Sequence, residues 1–123
     1  MIGDHTGNVK RAQKESLFFQ EISKLFREAA LDDPRLNVLT ITRVTLSKDK
    51  GTCNIFFYTP DGKDAFHDVF DTLVLYKPSM RAALASRIPG RYTPNLRFQY
   101  DAQFEKQLVI ENALNKVKTE DQF

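Results

Sequence analysis

His67 comes closest to a catalytic arrangement in this sequence. Asp64 lies three residues before it and Asp71 four residues after it, so a helix would place both carboxylates beside the imidazole. A histidine oriented in this way can act as a general base. The same spacing arises on any acidic helix surface, and we therefore interpret this cluster as a solvated helix face.

The single cysteine, Cys53, falls at an inward-facing position of a predicted strand. A cysteine there is usually a small buried apolar residue, and a catalytic thiolate is the rarer case. No pair of Cys or His residues has the spacing of metal ligands. The glycines at 51, 62 and 90 are isolated, so the sequence has no Gly-rich phosphate loop. We expect no enzymatic activity, no cofactor, no metal and no small-molecule substrate.

The charged residues are unevenly distributed, although the formal net charge is only +2. Residues 72–100 contain no Asp or Glu, and the basic residues of this stretch are Lys77, Arg81, Arg87, Arg91 and Arg97. A local surplus of positive charge suits contacts with nucleic-acid phosphates. Any argument for an RNA partner therefore depends on how the charges are distributed along the chain and not on the net charge.

The composition fits one globular domain. The chain has 123 residues, of which 41% are hydrophobic and 28% charged. No apolar run approaches the roughly 18 residues that a membrane helix needs, and the N-terminus lacks the basic-then-apolar order of a signal peptide. We expect a cytoplasmic monomer without a membrane partner.

Hydrophobic spacing predicts seven elements. They are a helix over 9–31, strands over 38–46 and 53–58, helices over 63–77 and 79–88, a strand over 96–100 and a helix over 102–117. We expect residues 1–8 to be a flexible lead-in, residues 9–118 a single domain and residues 119–123 a flexible tail.

Three local features set the boundaries of these elements. The first helix must end before Pro34, because the residue before a proline is driven out of the helical region. Pro78 interrupts the helical run after residue 63, because proline lacks a backbone N–H and clashes inside a helix. The apolar alternation of the first strand changes parity after Ile41, which predicts a bulge near Thr42. Three short strands favour an α+β class with helices on one face of the sheet.

The predicted order of helix, strand, strand, helix, helix, strand is that of a type II KH domain, a single-strand RNA binder, with an added C-terminal helix. Within that order the sequence resembles the ribosome-binding factor A family. The matching segments are DPRL at 33–36, TITRV at 40–44, LSKD at 46–49 and RYTPNLRFQYD at 91–101. The resemblance covers about residues 9–114, nearly the whole chain.

The resemblance implies a KH-like assembly factor, bacterial or organellar, that is not an enzyme. It implies binding to the small ribosomal subunit near the neck and decoding region, and a role in late maturation and processing of its rRNA, especially in the cold. The chain departs from the family at the helix junction, where YKP at 76–78 stands in place of an Ala-x-Gly kink. It also lacks the GxxG loop of other KH domains.

The candidate RNA-binding residues are basic residues of the acid-free stretch and of the N-terminal half. They are Lys77, Arg81, Arg87, Arg91, Arg35, Lys10 and Arg11. Lys77 and Arg81 flank the helix junction, and Arg91 precedes the third strand, so phosphates could reach all three if these elements are adjacent.

Several of these residues have a structural alternative. Arg87 lies in the last turn of its helix, where the helix dipole favours a cation, and its side chain can lie over the core. Arg35 is next but one to Asp33 and can form a structural ion pair. Lys10 and Arg11 can belong to a solvated helix face.

A second hypothesis is a KH-like protein-interaction module without RNA binding. Phe56 and Tyr58 have the outward parity of the second strand and would form an exposed apolar patch. Residues 50–57 also echo the RNA-stacking strand of RRM domains, but the two stacking positions hold Thr52 and Asn54, so we interpret the match as coincidence. A small enzyme using His67 is a third and weaker hypothesis.

Overall fold

The computed structural model describes residues 2–90 and 92–121, with side chains for residues 9–90 and 92–117. The helices are α1 (Ile2–Asp32), α2 (Lys63–Leu75), α3 (Lys77–Arg87) and α4 (Ala102–Asp121), and the strands are β1 (Thr40–Leu46), β2 (Thr52–Tyr58) and β3 (Asn95–Tyr100). A short 3₁₀ helix (Pro34–Val38), which was not predicted, joins α1 to β1. The α+β class and the type II KH-like order are confirmed.

The three strands form one sheet in the order β1-β2-β3. β1 and β2 are an antiparallel hairpin, and β3 runs parallel to β2. Ile41 pairs with Phe57 and Arg43 with Phe56, so Thr42 is the extra residue of a β-bulge. The predicted bulge is confirmed, and it explains why apolar side chains of both parities in β1 reach the core.

The core lies between one face of the sheet and the helices α1, α2 and α3. Phe57 on the central strand is fully buried. Its ring centroid lies 5.3 Å from that of Phe26 on α1, 6.1 Å from that of Phe66 on α2 and 5.7 Å from that of Phe98 on β3. One side chain thus joins three elements, and the predicted covering of one sheet face by helices is confirmed.

The junction between α2 and α3 is a bend without a loop. Tyr76 separates the two helices and has helical dihedral angles, φ −85° and ψ −8°. Its N–H donates to the carbonyl of Leu73 (3.1 Å), and its carbonyl accepts from the N–H of Met80 (2.9 Å). α3 begins at Lys77, two residues earlier than predicted, because proline is well accepted in the first turn of a helix and Pro78 lies there.

Both terminal helices are longer than predicted. α1 begins at Ile2 instead of Val9, because a growing helix tolerates a glycine at a cost of only about 1 kcal/mol. α4 continues to Asp121 instead of residue 117, because no Gly or Pro follows to end it. That residues 1–8 and 119–123 are flexible in solution stays a prediction.

α4 contacts the sheet only with its first turns. The ring of Phe104 lies 5.0 Å from that of Tyr58 on β2. From Val109 onward the large apolar side chains described are more than half exposed, with exposed fractions of 63% for Val109, 58% for Leu114 and 53% for Val117. In the part of the chain described, no helix has the length and hydropathy to cross a bilayer.

Candidate nucleic-acid interface

Lys77 and Arg81 lie on the side of α3 that faces β3. The ammonium nitrogen of Lys77 is 5.4 Å from the centroid of the Phe98 ring. Arg81 donates from Nη2 to the carbonyl of Thr93 (3.0 Å) and from Nε to the carbonyl of Pro94 (3.3 Å). Residues four apart lie on one face of a helix, and here that face adjoins β3 and the loop before it.

The same loop meets α1 and the turn between β1 and β2. The N–H of Asn95 donates to the carbonyl of Gly51 (3.0 Å), which places the loop end beside that turn. The ammonium of Lys14 on α1 lies 3.4 Å from the point that a Cβ atom on Gly90 would occupy. A groove of about 290 Å³ opens between these segments, and its lining includes Lys14, Lys50 and Tyr92.

We call the surface formed by Lys14, Lys50, Lys77 and Arg81 the basic edge. Two carboxylates lie close to it, and each accepts hydrogen bonds from the backbone. Glu15 accepts from the N–H of Leu46 (2.6 Å). Asp49 accepts from the hydroxyl of Ser47 and from the N–H of Gly51, and these bonds lower the pKa of Asp49. The carboxylates thus order the hairpin. Lys50 and Arg81 are exposed, Lys14 and Lys77 are half-buried, and Tyr92, which lines the groove with Lys14 and Lys50, is 78% exposed.

Two of the predicted RNA-binding residues lie away from the basic edge. Arg87 faces α1, where its terminal nitrogens are 3.6 Å from Glu21 and 4.0 Å from Glu28. Arg35 donates from Nε and Nη2 to the carboxylate of Asp33, at 3.0 and 2.8 Å, which lowers the pKa of that carboxyl. The alternative of a structural ion pair at Arg35 is therefore confirmed. The structure does not bring either arginine to the basic edge.

The remaining predicted residues belong to the N-terminal half of α1 and to the loop before β3. Lys10 is exposed and precedes Lys14 by four residues, so it extends the basic edge by one helical turn. Arg11 is half-buried on the same helix. Arg91 lies outside the described residues.

The residues that suggested catalysis have ordinary environments. Within the described residues, His67 forms no hydrogen bond with Asp64 or Asp71, and all three side chains are exposed. Cys53 is fully buried, and burial raises the pKa of its thiol to about 12, so the thiolate is absent at neutral pH. No group of three potential metal ligands occurs among the described residues.

Sequence reasoning missed a polar cluster around Asp101. The carboxylate of Asp101 is 2% exposed and accepts from the hydroxyl of Thr42 (2.6 Å), from Nε of Arg43 (3.1 Å) and from the N–H of Phe104 (3.0 Å). Burial alone would raise the pKa of Asp101, but these hydrogen bonds and the charge of Arg43 outweigh burial and lower it. The cluster ties the bulge of β1 to the start of α4.

A signal for this cluster was present in the sequence. Thr42 and Arg43 belong to the segment TITRV, and Asp101 ends the segment RYTPNLRFQYD, so both family-like segments contribute to one contact. The partners are 58 and 59 residues apart in the chain. No local pattern could pair them.

A second contact holds the helix junction. The hydroxyl of Tyr76 donates to the carboxylate of Asp32 at the end of α1 (2.6 Å). This hydrogen bond raises the pKa of Tyr76 to about 12. The position of Lys77, and with it the start of the basic edge, is thereby linked to α1.

The apolar patch expected at Phe56 and Tyr58 is largely covered. The guanidinium of Arg43 lies 4.0 Å from the centroid of the Phe56 ring, and Tyr58 packs against Phe104. Both aromatic side chains are half-buried. This arrangement does not favour the hypothesis of a protein-docking patch.

Comparisons with known proteins point to one family. A sequence model described as "Ribosome-binding factor A" matches residues 10–114. The ribosome-binding factor A of Desulfitobacterium hafniense is 31% identical over 103 residues, which cover 84% of this chain and 82% of that protein. That of Rickettsia typhi is 28% identical over 117 residues, covering 93% of this chain and 92% of that protein.

A solved structure agrees with the sequence matches. The crystal structure of ribosome-binding factor A from Thermus thermophilus superposes with a TM-score of 0.62 and 28% sequence identity. The match covers 73% of this chain and 93% of the Thermus chain.

Proposed function

Because this chain belongs to the ribosome-binding factor A family, we propose that it binds the small ribosomal subunit by contacting its rRNA. The bound protein assists late maturation and processing of that rRNA, and the need for it is greatest in the cold. It acts in the cytoplasm as a monomer, by binding and not by catalysis.

The observation that supports this proposal most directly is the basic edge. Lys77 and Arg81 lie on one side of α3, and Pro94 of the loop that Arg81 holds lines the same groove as Lys14 and Lys50. Lysine and arginine side chains on one surface neutralise successive phosphates of an RNA backbone. Structured rRNA can be bound in this way without a GxxG loop.

The proposal is tested by co-sedimentation with separated ribosomal subunits. The double charge reversal Lys77→Glu and Arg81→Glu is expected to weaken binding to free small subunits by about tenfold or more, because it removes two phosphate contacts and adds repulsion. The matched control is the double reversal Lys106→Glu and Lys116→Glu on the exposed surface of α4, which is expected to bind as the wild type does. Melting temperatures of both variants report on folding.

Two results would contradict the proposal. One is equal binding of both double variants to small subunits, which would place the contact elsewhere. The other is sedimentation with large subunits or with translating ribosomes in preference to free small subunits.

A further inference from the structure

The sheet face opposite α1, α2 and α3 is here called the open face, and none of its described strand residues is acidic. Its residues follow from strand parity, because Cys53, Ile55 and Phe57 point into the core and their neighbours point away from it. With their partners in register, the residues of the open face are Thr40, Arg43, Thr45, Thr52, Asn54, Phe56, Tyr58, Asn95, Arg97 and Gln99. The face therefore combines two cations, two aromatic rings and three amides.

Arg43 is held in a fixed orientation on this face. Its guanidinium lies 4.0 Å from the centroid of the Phe56 ring, and its Nε donates to the buried carboxylate of Asp101 (3.1 Å). Its side chain is 43% exposed, and among the described residues its two terminal nitrogens have no partner. A guanidinium held in this way loses little conformational entropy when its two free nitrogens bind a phosphate.

A pair of amides lies on the next strands. Nε2 of Gln99 donates to Oδ1 of Asn54 (2.8 Å), which leaves both N–H groups of Asn54 and one N–H and the carbonyl oxygen of Gln99 for a ligand. Arg97 pairs with Asn54 in the register of β2 and β3 and is exposed. From strand spacing and rise, the Cα atoms of Arg43 and Arg97 are roughly 12 Å apart.

We propose that the open face binds single-stranded RNA. Arg43 and Arg97 contact phosphates of one strand, and a base between them packs against the part of the Phe56 ring that Arg43 leaves exposed and lies over the Asn54–Gln99 pair. Unpaired bases offer planar faces to aromatic rings and guanidinium groups, and polar edges to amides. The bases of an A-form duplex are stacked inside the helix and cannot make these contacts. An acidic peptide would satisfy the arginines but would offer no aromatic face to the ring.

The choice of RNA as the ligand rests on the proposed function, but the surface is a different one. The basic edge lies on the helix-covered side of β3, where Lys77 approaches the buried ring of Phe98. Arg97 points to the other side of the same strand. A small subunit could therefore present structured rRNA to the basic edge and an unpaired segment to the open face.

The test is a binding titration of the full chain with a fluorescently labelled oligouridine, monitored by anisotropy. Arg97→Gln is expected to weaken binding about tenfold, equivalent to ~1.4 kcal/mol. The control Lys116→Gln removes the same charge from α4 and is expected to weaken binding less than twofold. Arg43→Lys keeps the charge but loses the planar group, and several-fold weaker binding is expected. Arg97 is exposed, so its variant is expected to fold normally, and circular dichroism checks this.

Four results would overturn the inference: no binding of oligouridine by the wild type, equal affinities of Arg97→Gln and Lys116→Gln, equal affinity for a duplex of the same length, or equal displacement by oligoglutamate. The last would identify an acidic peptide as the ligand. The variant Lys77→Glu with Arg81→Glu separates the two proposals, because it is expected to lose small-subunit binding and to retain oligouridine binding. If oligouridine binding fails while subunit binding still depends on the basic edge, only the inference about the open face is lost.

Discussion

At the scale of single residues, the most consequential side chain is a buried carboxylate that no chemical motif indicated. Asp101 precedes α4, accepts the N–H of Phe104 and also holds Thr42 and Arg43 of β1. A buried acceptor with several donors is costly to lose, because each donor is then left without a partner. Asp101 therefore stabilises the fold and orients an arginine of the open face.

Asp101→Asn is expected to lower the free energy of unfolding by about 1–3 kcal/mol at neutral pH, because the amide turns one acceptor into a donor facing a donor. The pKa of Asp101 is lowered in the folded state from the usual 3.8. Its ionised form thus stabilises the fold above pH 3.8, and this contribution is lost as the pH falls toward the lower folded value.

Urea denaturation of wild type and variant at neutral and acidic pH measures this difference, with Asp68→Asn on the exposed surface of α2 as the control. A constant difference down to the lowest pH at which the protein folds would contradict the assigned ionisation.

At the scale of elements, the junction of α2 and α3 decides where the first cations of the basic edge lie. Pro78 prevents one straight helix, Tyr76 forms the bend, and the hydroxyl of Tyr76 joins the bend to Asp32 on α1. This sequence thereby fixes the angle of the junction with a tyrosine and a proline, where the resemblance implied a glycine kink.

Tyr76→Phe is expected to lower the urea midpoint slightly at neutral pH, because only the hydroxyl is removed. The pKa of Tyr76 is raised from 10.0 to about 12 in the folded state. The contribution of the hydroxyl is therefore complete below pH 10 and is lost as the pH rises toward 12. Asp32→Asn combined with Tyr76→Phe is expected to cost less than the sum of the two single changes, and strict additivity would show that the hydrogen bond does not form in solution.

α4 allows a further prediction at this scale. A chain that ends at Glu111 is expected to keep nearly the wild-type melting temperature, because Leu114 and Val117, the large apolar residues described beyond this point, are more than half exposed. Phe104→Ala is expected to destabilise the protein by about 1–3 kcal/mol, since it removes the ring that packs on Tyr58. Thermal unfolding of the two variants compares the halves of the helix, and a large loss on truncation would mean that the distal half is packed.

At the scale of the whole molecule, a net charge of only +2 conceals an asymmetric surface. Arg35 and Arg87 form ion pairs with nearby carboxylates, whereas the cations of the basic edge form none within the described part of the chain. The affinity for RNA therefore depends on the local positive charge of the basic edge and not on the net charge of the chain.

Binding to small subunits is accordingly expected to weaken steeply with salt, with a log-log slope of about 0.7–0.9 per neutralised phosphate. The variant Lys77→Glu with Arg81→Glu is expected to reduce that slope by the contribution of roughly two phosphate contacts. Affinity measured over a range of salt concentrations tests both expectations. An affinity that does not change with salt would mean that phosphate contacts do not dominate binding.

Much of the architecture followed from local patterns in the sequence. The apolar spacing of α1, the parity change at Thr42 and the proline at 78 each act within a few residues, so the order of elements, the bulge and the helix break could be predicted. The acid-free stretch over 72–100 was equally visible. The predicted start of α1 and the predicted end of α4 were wrong, because a few glycines and polar residues do not stop a helix that is already growing.

The grouping of side chains into sites depended on the tertiary structure. Arg81 and Arg87 belong to the same helix and to the same basic stretch, yet one reaches the loop before β3 and the other the carboxylates of α1. Spacing along the chain gives the angle between two side chains on a helix, but only packing decides which neighbour each side meets. For the same reason Thr42 and Asp101 could be recognised as parts of family-like segments but not as partners, because their contact exists only once β1 and β3 lie in one sheet.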